Sequence, residues 1–150
     1  MLDDQHILKD AGAVTSSGYG TVDATAKVVN LGSGLVRGNT IIELTAMALT
    51  DNDELYQLHL MGGDDSSFTK EVALATVEIG CKEVTEATHD SKIGRYILPF
   101  ENEKNGVVFP YVRIRHTISG TTPGIDYTCR LEKDLPVRGT VSATATTTTT

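Results

Sequence analysis

The sequence has no tryptophan, and aromatic residues make up only 5% of it. Sugar binders and single-strand binders that work by stacking need exposed aromatic platforms, so that class is poorly served here. Basic residues are also scarce. Thirteen Lys and Arg stand against 20 Asp and Glu, for a net charge of −7 and a pI near 5.0. A polyphosphate needs a basic face, and an anionic membrane surface needs the same, so neither nucleic acid nor membrane is an expected partner. Only two cysteines occur, Cys81 and Cys129. A secreted disulfide scaffold of this size usually carries more. Both sit in strand-like sequence and read as small buried hydrophobes, with a Cys81–Cys129 bridge as the alternative. No apolar run approaches the ~20 residues of a spanning helix. The acidic start, Met1-Leu2-Asp3-Asp4-Gln5-His6, lacks the apolar region of a signal peptide, so synthesis in a cytoplasm is expected.

Catalytic signatures are missing as well. His6, His59, His89 and His116 form no pair at metal-ligand spacing, and no CxxC accompanies them. Gly18-Tyr19-Gly20 opens like a dinucleotide fingerprint, but Asp23 stands at the third glycine and no βαβ context surrounds it. There is no phosphate-cradling GxxxxGK[ST] and no GxSxG nucleophile elbow. Asp51-Asn52-Asp53 and Asp64-Asp65 resemble calcium clusters, yet neither matches an EF-hand loop, and Asp and Asn are ordinary turn formers. The expectation is a non-enzyme with no cofactor and no metal.

What is present is a core and a strand pattern. Apolar residues are 39% of the chain, enough to bury a core, and 150 residues suit one domain. Threonine is abundant and 14 glycines mark many turns. Strands are expected at 25–31, 40–50, 55–61, 71–79, 93–100, 107–119 and 125–133. In the last, Ile125, Tyr127, Cys129 and Leu131 alternate strictly with Asp126, Thr128, Arg130 and Glu132, the period of a strand with one wet face. In 107–119, Val112, Ile114, His116 and Ile118 take one face, while Tyr111, Arg113 and Arg115 take the other. Between strands lie Gly32-Ser33-Gly34, Asp51-Asn52-Asp53, Gly62-Gly63-Asp64-Asp65, Asn105-Gly106 and Ser119–Gly124. Seven or eight short strands with such breaks indicate an antiparallel β-sandwich or barrel.

The ends differ from the middle. Residues 1–24 are Gly-, Ser- and Thr-rich, and Leu2, Ile7, Leu8 and Ala11 suggest one short helical turn or an arm. Residues 25–135 form the β-domain. Residues 136–150 are a Thr-rich tail that cannot build a core and is expected to be mobile unless a partner holds it. Arg113 and Arg115 read either as a salt-bridged solvated face or as an anchor for an acidic partner.

Several segments are similar to tailed-phage capsid cement (decoration) proteins. The opening Asp3-Asp4-Gln5…Leu8-Lys9-Asp10-Ala11-Gly12-Ala13-Val14-Thr15 resembles their Leu-Ser-Asp-Ala-Gln-Ala-Val-Thr-like start. Val28-Val29-Asn30-Leu31-Gly32 resembles their Val-Ile-Asp-Leu-Gly. Asp64-Asp65-Ser66-Ser67-Phe68, Gly94-Arg95-Tyr96 and Pro110-Tyr111-Val112-Arg113…Ser119-Gly120-Thr121 follow in the same order, so the likeness spans most of residues 3–133. Lys9 stands where the family carries Ser, Gly12 where it carries Gln, and the Thr-rich tail is outside the pattern.

The resemblance implies a jelly-roll-like sandwich on the outer surface of an icosahedral head, cementing contacts between major capsid proteins. It implies a homo-oligomer, a dimer ahead of a trimer. Expected contact regions are the N-terminal arm, through Leu2, Ile7, Leu8, Val14 and Tyr19, and the tail, through Val137 and Val141, with Arg113 and Arg115 added. Deleting residues 1–20 is expected to leave the β-domain folded. The alternatives are a carbohydrate-binding β-sandwich displayed on a virion, for which the tyrosines are the main aromatic candidates, and a small β-barrel enzyme.

Overall fold

A computed structural model describes residues 6–133. Six short strands come first: β1 (Ile7–Lys9), β2 (Ala13–Val14), β3 (Gly18–Tyr19), β4 (Thr21–Val22), β5 (Thr25–Ala26) and β6 (Val29–Asn30). The long strands β7 (Arg37–Met47), β8 (Leu55–Gly63) and β9 (Glu71–Gly80) follow, then the one-turn helix α1 (Lys82–Thr85) and β10 (Gly94–Glu101). A hairpin of β11 (Glu103–Lys104) and β12 (Val107–Val108) leads to β13 (Tyr111–Ser119) and β14 (Ile125–Lys133).

These strands build two antiparallel sheets. The first has the order β1-β14-β7-β10, with β2 beside β1 on β14. The second has the order β3-β13-β8-β9, with β6 beside β3 on β13. The fold is an all-β antiparallel sandwich. The period-2 pattern explains why: each strand has one face to hide, and two such faces hide each other. Ile125, Tyr127, Cys129 and Leu131 of β14 point inward, as do Val112, Ile114 and His116 of β13. They meet Ile42 and Leu44 of β7, Tyr56, Leu58 and Leu60 of β8, and Leu98 and Phe100 of β10. The buried Tyr56 hydroxyl donates to the Ala48 carbonyl at 2.7 Å and accepts from the Gly124 amide at 2.9 Å, tying two interstrand loops together.

The expected helical turn within residues 3–11 is instead strand over Ile7–Lys9, because the edge of β14 offers backbone partners: Ile7 pairs with Arg130 and Lys9 with Cys129. Tertiary pairing overrides weak local propensity. The described part of the 1–24 segment is woven into both sheets. It runs along β14 as β1 and β2, then crosses to β13 as β3. Gly20, directly after β3, is closely packed: an added Cβ would lie 2.3 Å from an Ile114 methyl and 2.6 Å from the Leu8 carbonyl. Leu8 is fully buried in the core. The segment is thus a structural part of the sandwich, and removing residues 1–20 would take core and edge pairing with it.

The expected strand 107–119 is interrupted at Phe109-Pro110. Pro110 has no N–H to give a ladder, and its carbonyl accepts from Leu31 N at 2.7 Å while Phe109 N donates to Asn102 O at 2.7 Å. Asn105-Gly106, read as a break, is a two-residue hairpin turn with both φ positive. The region 25–31 divides into β5 and β6. Residues 134–150, which hold Val137 and Val141, lie outside the described residues, as does Leu2.

Candidate interaction surface

The outward side chains of β13 meet residues from three other segments. Arg115 pairs across to Tyr19 on β3 and to His59 on β8. Arg113 is enclosed. Its guanidinium lies 3.7 Å from the centre of the Tyr19 ring and 4.0 Å from that of Phe68. Glu71 Oε2 accepts from its Nε at 2.9 Å and its Nη2 at 2.5 Å. A planar cation between two ring faces, closed by a carboxylate, suits arginine and not lysine. The Tyr19 hydroxyl donates to Glu71 Oε1 at 3.2 Å.

Local sequence explains how Phe68 comes to lie there. The Asp65 carboxylate accepts from the amides of Ser67 and Thr69, each at 3.1 Å, and from the Thr69 hydroxyl at 2.9 Å. Those bonds hold the carboxyl below its ordinary range, the Thr69 amide first. The turn carries Phe68 at φ +54°, a left-handed conformation uncommon for an aromatic residue. Gly63 makes room: a Cβ there would lie 2.5 Å from the Phe68 ring. Asp65 thus acts as a turn former, and so do the acids of the other cluster. The Asp53 carboxylate accepts from Thr121 N at 3.0 Å, and Asp51 accepts from the Thr122 hydroxyl.

The two readings of the arginine pair divide between the two residues. The Arg113 side chain is 21% exposed and serves the structure. The Arg115 side chain is 44% exposed, and the one carboxylate within ion-pair distance of it among the described residues, Glu71, is 3.9 Å away and already engaged by Arg113. Two cations share one carboxylate, so this patch is locally positive on an acidic protein. Burial first, then the Arg115 cation, push the imidazole of the neighbouring His59 below its usual value.

Of the residues expected at a partner contact, Tyr19, Arg113 and Arg115 come together here. Ile7 and Val14 do not; both are half-buried on the edge of the other sheet. Leu8 is corrected: a fully buried side chain touches the core and not a partner. Glu71 and Phe68 were missed. The Asp65 turn was visible, but nothing in sequence says that a residue 42 positions away meets Arg113.

Elsewhere, both cysteines are free and buried, so the bridge alternative fails. The Cys81 thiol donates to Glu54 Oε1 at 3.2 Å, and burial raises both thiols' pKa values. Asp51, Asp53 and Glu54 bring ligand atoms within 4.8 Å of one another, as do Cys81, Glu83 and Asp90. In the first group Glu54 already accepts from Asp51 N and from Cys81. In the second, Asp90 accepts from Lys82 N at 2.9 Å. No family model matches the sequence, and no curated protein matches it either.

Proposed function

We propose that this chain is a structural virion protein that binds the outer surface of an icosahedral phage head and cements contacts between major capsid proteins. One observation carries the reading. Three of the segments on which the resemblance rests, 28–32, 64–68 and 110–121, are far apart in sequence and meet at β13. Asn30 pairs with Tyr111 and Val29 with Val112. The Asp65 turn sets Phe68 against Arg113, and Tyr19 covers its other side. The strand orders β1-β14-β7-β10 and β3-β13-β8-β9 fit the two interleaved Greek keys of a jelly roll.

In this reading Arg115 and Tyr19 face an acidic patch of the major capsid protein. The chain works without cofactor or catalysis. Binding only the expanded shell stabilises that shell by mass action. A homo-oligomer, a dimer ahead of a trimer, multiplies weak contacts into avidity. The test is co-sedimentation with mature and immature heads. Saturable binding to the expanded form, weakened at least tenfold by Arg115→Glu, is the expected result. Binding to neither form refutes the reading and leaves the glycan-binding alternative for an array to decide.

A further inference from the structure

One row of side chains crosses the outer face of the β3-β13-β8-β9 sheet. Thr76 on β9 pairs with His59 on β8, His59 with Arg115 on β13, and Arg115 with Tyr19 on β3. Residues directly opposite in an antiparallel pair share a face, with Cβ atoms roughly 5 Å apart. The Thr76 hydroxyl lies 2.9 Å from His59 Nδ1 and orients the ring, which leaves Nε2 without a hydrogen-bond partner among the described residues. Beside it stands the Arg115 guanidinium, whose nearest carboxylate, Glu71 at 3.9 Å, is held by Arg113 at 2.5 Å. The Tyr19 ring, 5.9 Å from that guanidinium, walls the other side.

We propose that this row is a carboxylate clamp: an Asp or Glu side chain in an acidic segment of the partner protein sits between Arg115 and His59 Nε2, and His59 takes up a proton as it binds. The clamp rests on the cement reading and names the chemistry of its contact. Charge selects the occupant. The chain carries a net charge of −7, yet this row offers a cation and a titratable nitrogen side by side. One cation and one nitrogen match a singly charged carboxylate, whereas a phosphate backbone needs a run of basic residues.

In the free chain a second cation opposite Arg115 is unfavourable. Burial, and then the Arg115 charge, accordingly hold the imidazole below its ordinary value. A carboxylate between the two reverses the sign, because an opposite charge within ~4–6 Å favours the imidazolium. The groups already around the ring do not supply that charge. On β8 its neighbours Gln57 and Met61 are neutral. On β9 Glu78 lies one pair along and accepts from Gln57 Nε2 at 2.9 Å. On β13 Thr117 is neutral and Arg113 is matched by Glu71, which also accepts from the Tyr19 hydroxyl of β3. Between the lowered pKa of the free ring and the raised one of the bound ring, the complex holds one more proton than the free chain. Affinity therefore rises as the pH falls, by at most about tenfold per pH unit.

A capped hexaglutamate peptide tests the clamp on the full chain, without heads, with the His59 ring followed by NMR from pH 5.8 to 7.8. The peptide should raise the midpoint of the His59 titration by at least half a pH unit and bind at least threefold more tightly at pH 5.8 than at pH 7.8. His59→Gln should bind with the pH dependence removed, and Arg115→Gln should bind at least fivefold more weakly at both pH values. A peptide that does not bind, or that binds without moving the His59 midpoint, overturns the proposal. Co-sedimentation with expanded heads at the same two pH values separates the clamp from the cement reading. Heads bound equally at both refute the clamp and leave the cement role standing. Peptide binding of the expected kind without head binding refutes the cement role and supports the clamp.

Discussion

Acid should unfold this sandwich from its centre, through His116. That side chain is 3% exposed on β13 and faces Tyr127 on β14, so it joins the two sheets. Its Nδ1 lies 2.8 Å from the Tyr127 hydroxyl, a hydrogen bond that a neutral imidazole accepts and an imidazolium does not. The rings meet edge-on at 82°. Lys9 Nζ sits 4.5 Å from the centre of the same tyrosine ring, fixed by the carbonyls of Asp10, Gly12 and Tyr127. Burial first, and the Lys9 charge second, push the imidazole down to about 4. In the unfolded chain it titrates near ~6.5.

Between those values the unfolded chain binds the extra proton and the native one does not. Stability is therefore complete above pH 6.5 and falls as the pH drops toward 4. From pH 7.5 to pH 5 the loss is about 2 kcal/mol, a substantial part of the ~5–15 kcal/mol of an ordinary domain. The carboxyls of Glu43, Asp53, Asp65 and Glu101 are held below their ordinary values by hydrogen bonds, so their contribution is lost only at lower pH. Urea denaturation at pH 7.5, 6.5, 5.8 and 5.0 isolates the effect, with His59→Gln as the background because His59 is shifted the same way. His116→Asn should be less stable at pH 7.5 but flat across the window. A wild-type curve that is flat, or a variant that keeps the same slope, refutes the reasoning.

Leu8→Ala should cost about 3 kcal/mol in chemical denaturation, as a buried leucine does, and deletion of residues 1–20 should abolish the cooperative transition; a truncated protein that melts normally contradicts the woven N-terminal segment. A thiol reagent should find neither Cys81 nor Cys129 in the native protein at pH 8 and both in denaturant, with melting unchanged by reductant. Arg113→Ala should destabilise by about 1–2 kcal/mol because the half-buried Glu71 loses its closest cation and the Tyr19 and Phe68 rings lose the guanidinium between them, whereas Arg115→Ala should stay within about 0.5 kcal/mol. Equal effects of the two would mean that the arginines do not divide their roles as the geometry indicates.

Much of the β-domain was legible because a strand writes its burial into a two-residue period. β14 has the bounds read from its alternation, Ile125–Lys133, and the inward faces of β13 and β14 are those expected. The buried free cysteines follow from the same pattern. Short elements were not legible. Two or three residues cannot carry a period, so β1, β2, β3 and β6 are defined by the edges they pair with, and β4 and β5 by each other. Tyr19, Arg113 and Arg115 were recognisable one by one from side-chain chemistry. Their meeting, with Glu71 and Phe68, depends on which strands lie side by side.

Alternation, turn residues and charge sufficed to determine an acidic, all-β, two-faced chain, since these are local properties of consecutive residues. Tertiary structure alone decided that the N-terminal segment closes one side of the sandwich, that Leu8 is core, and that β9 and β10 are the outer strands of the opposite side among the described residues. It also decided that His116 meets Tyr127 between the sheets and that Arg113 is enclosed while Arg115 is not. The reason is that strand adjacency is set by hydrogen bonds and burial between residues far apart in sequence, and no local pattern names the partner.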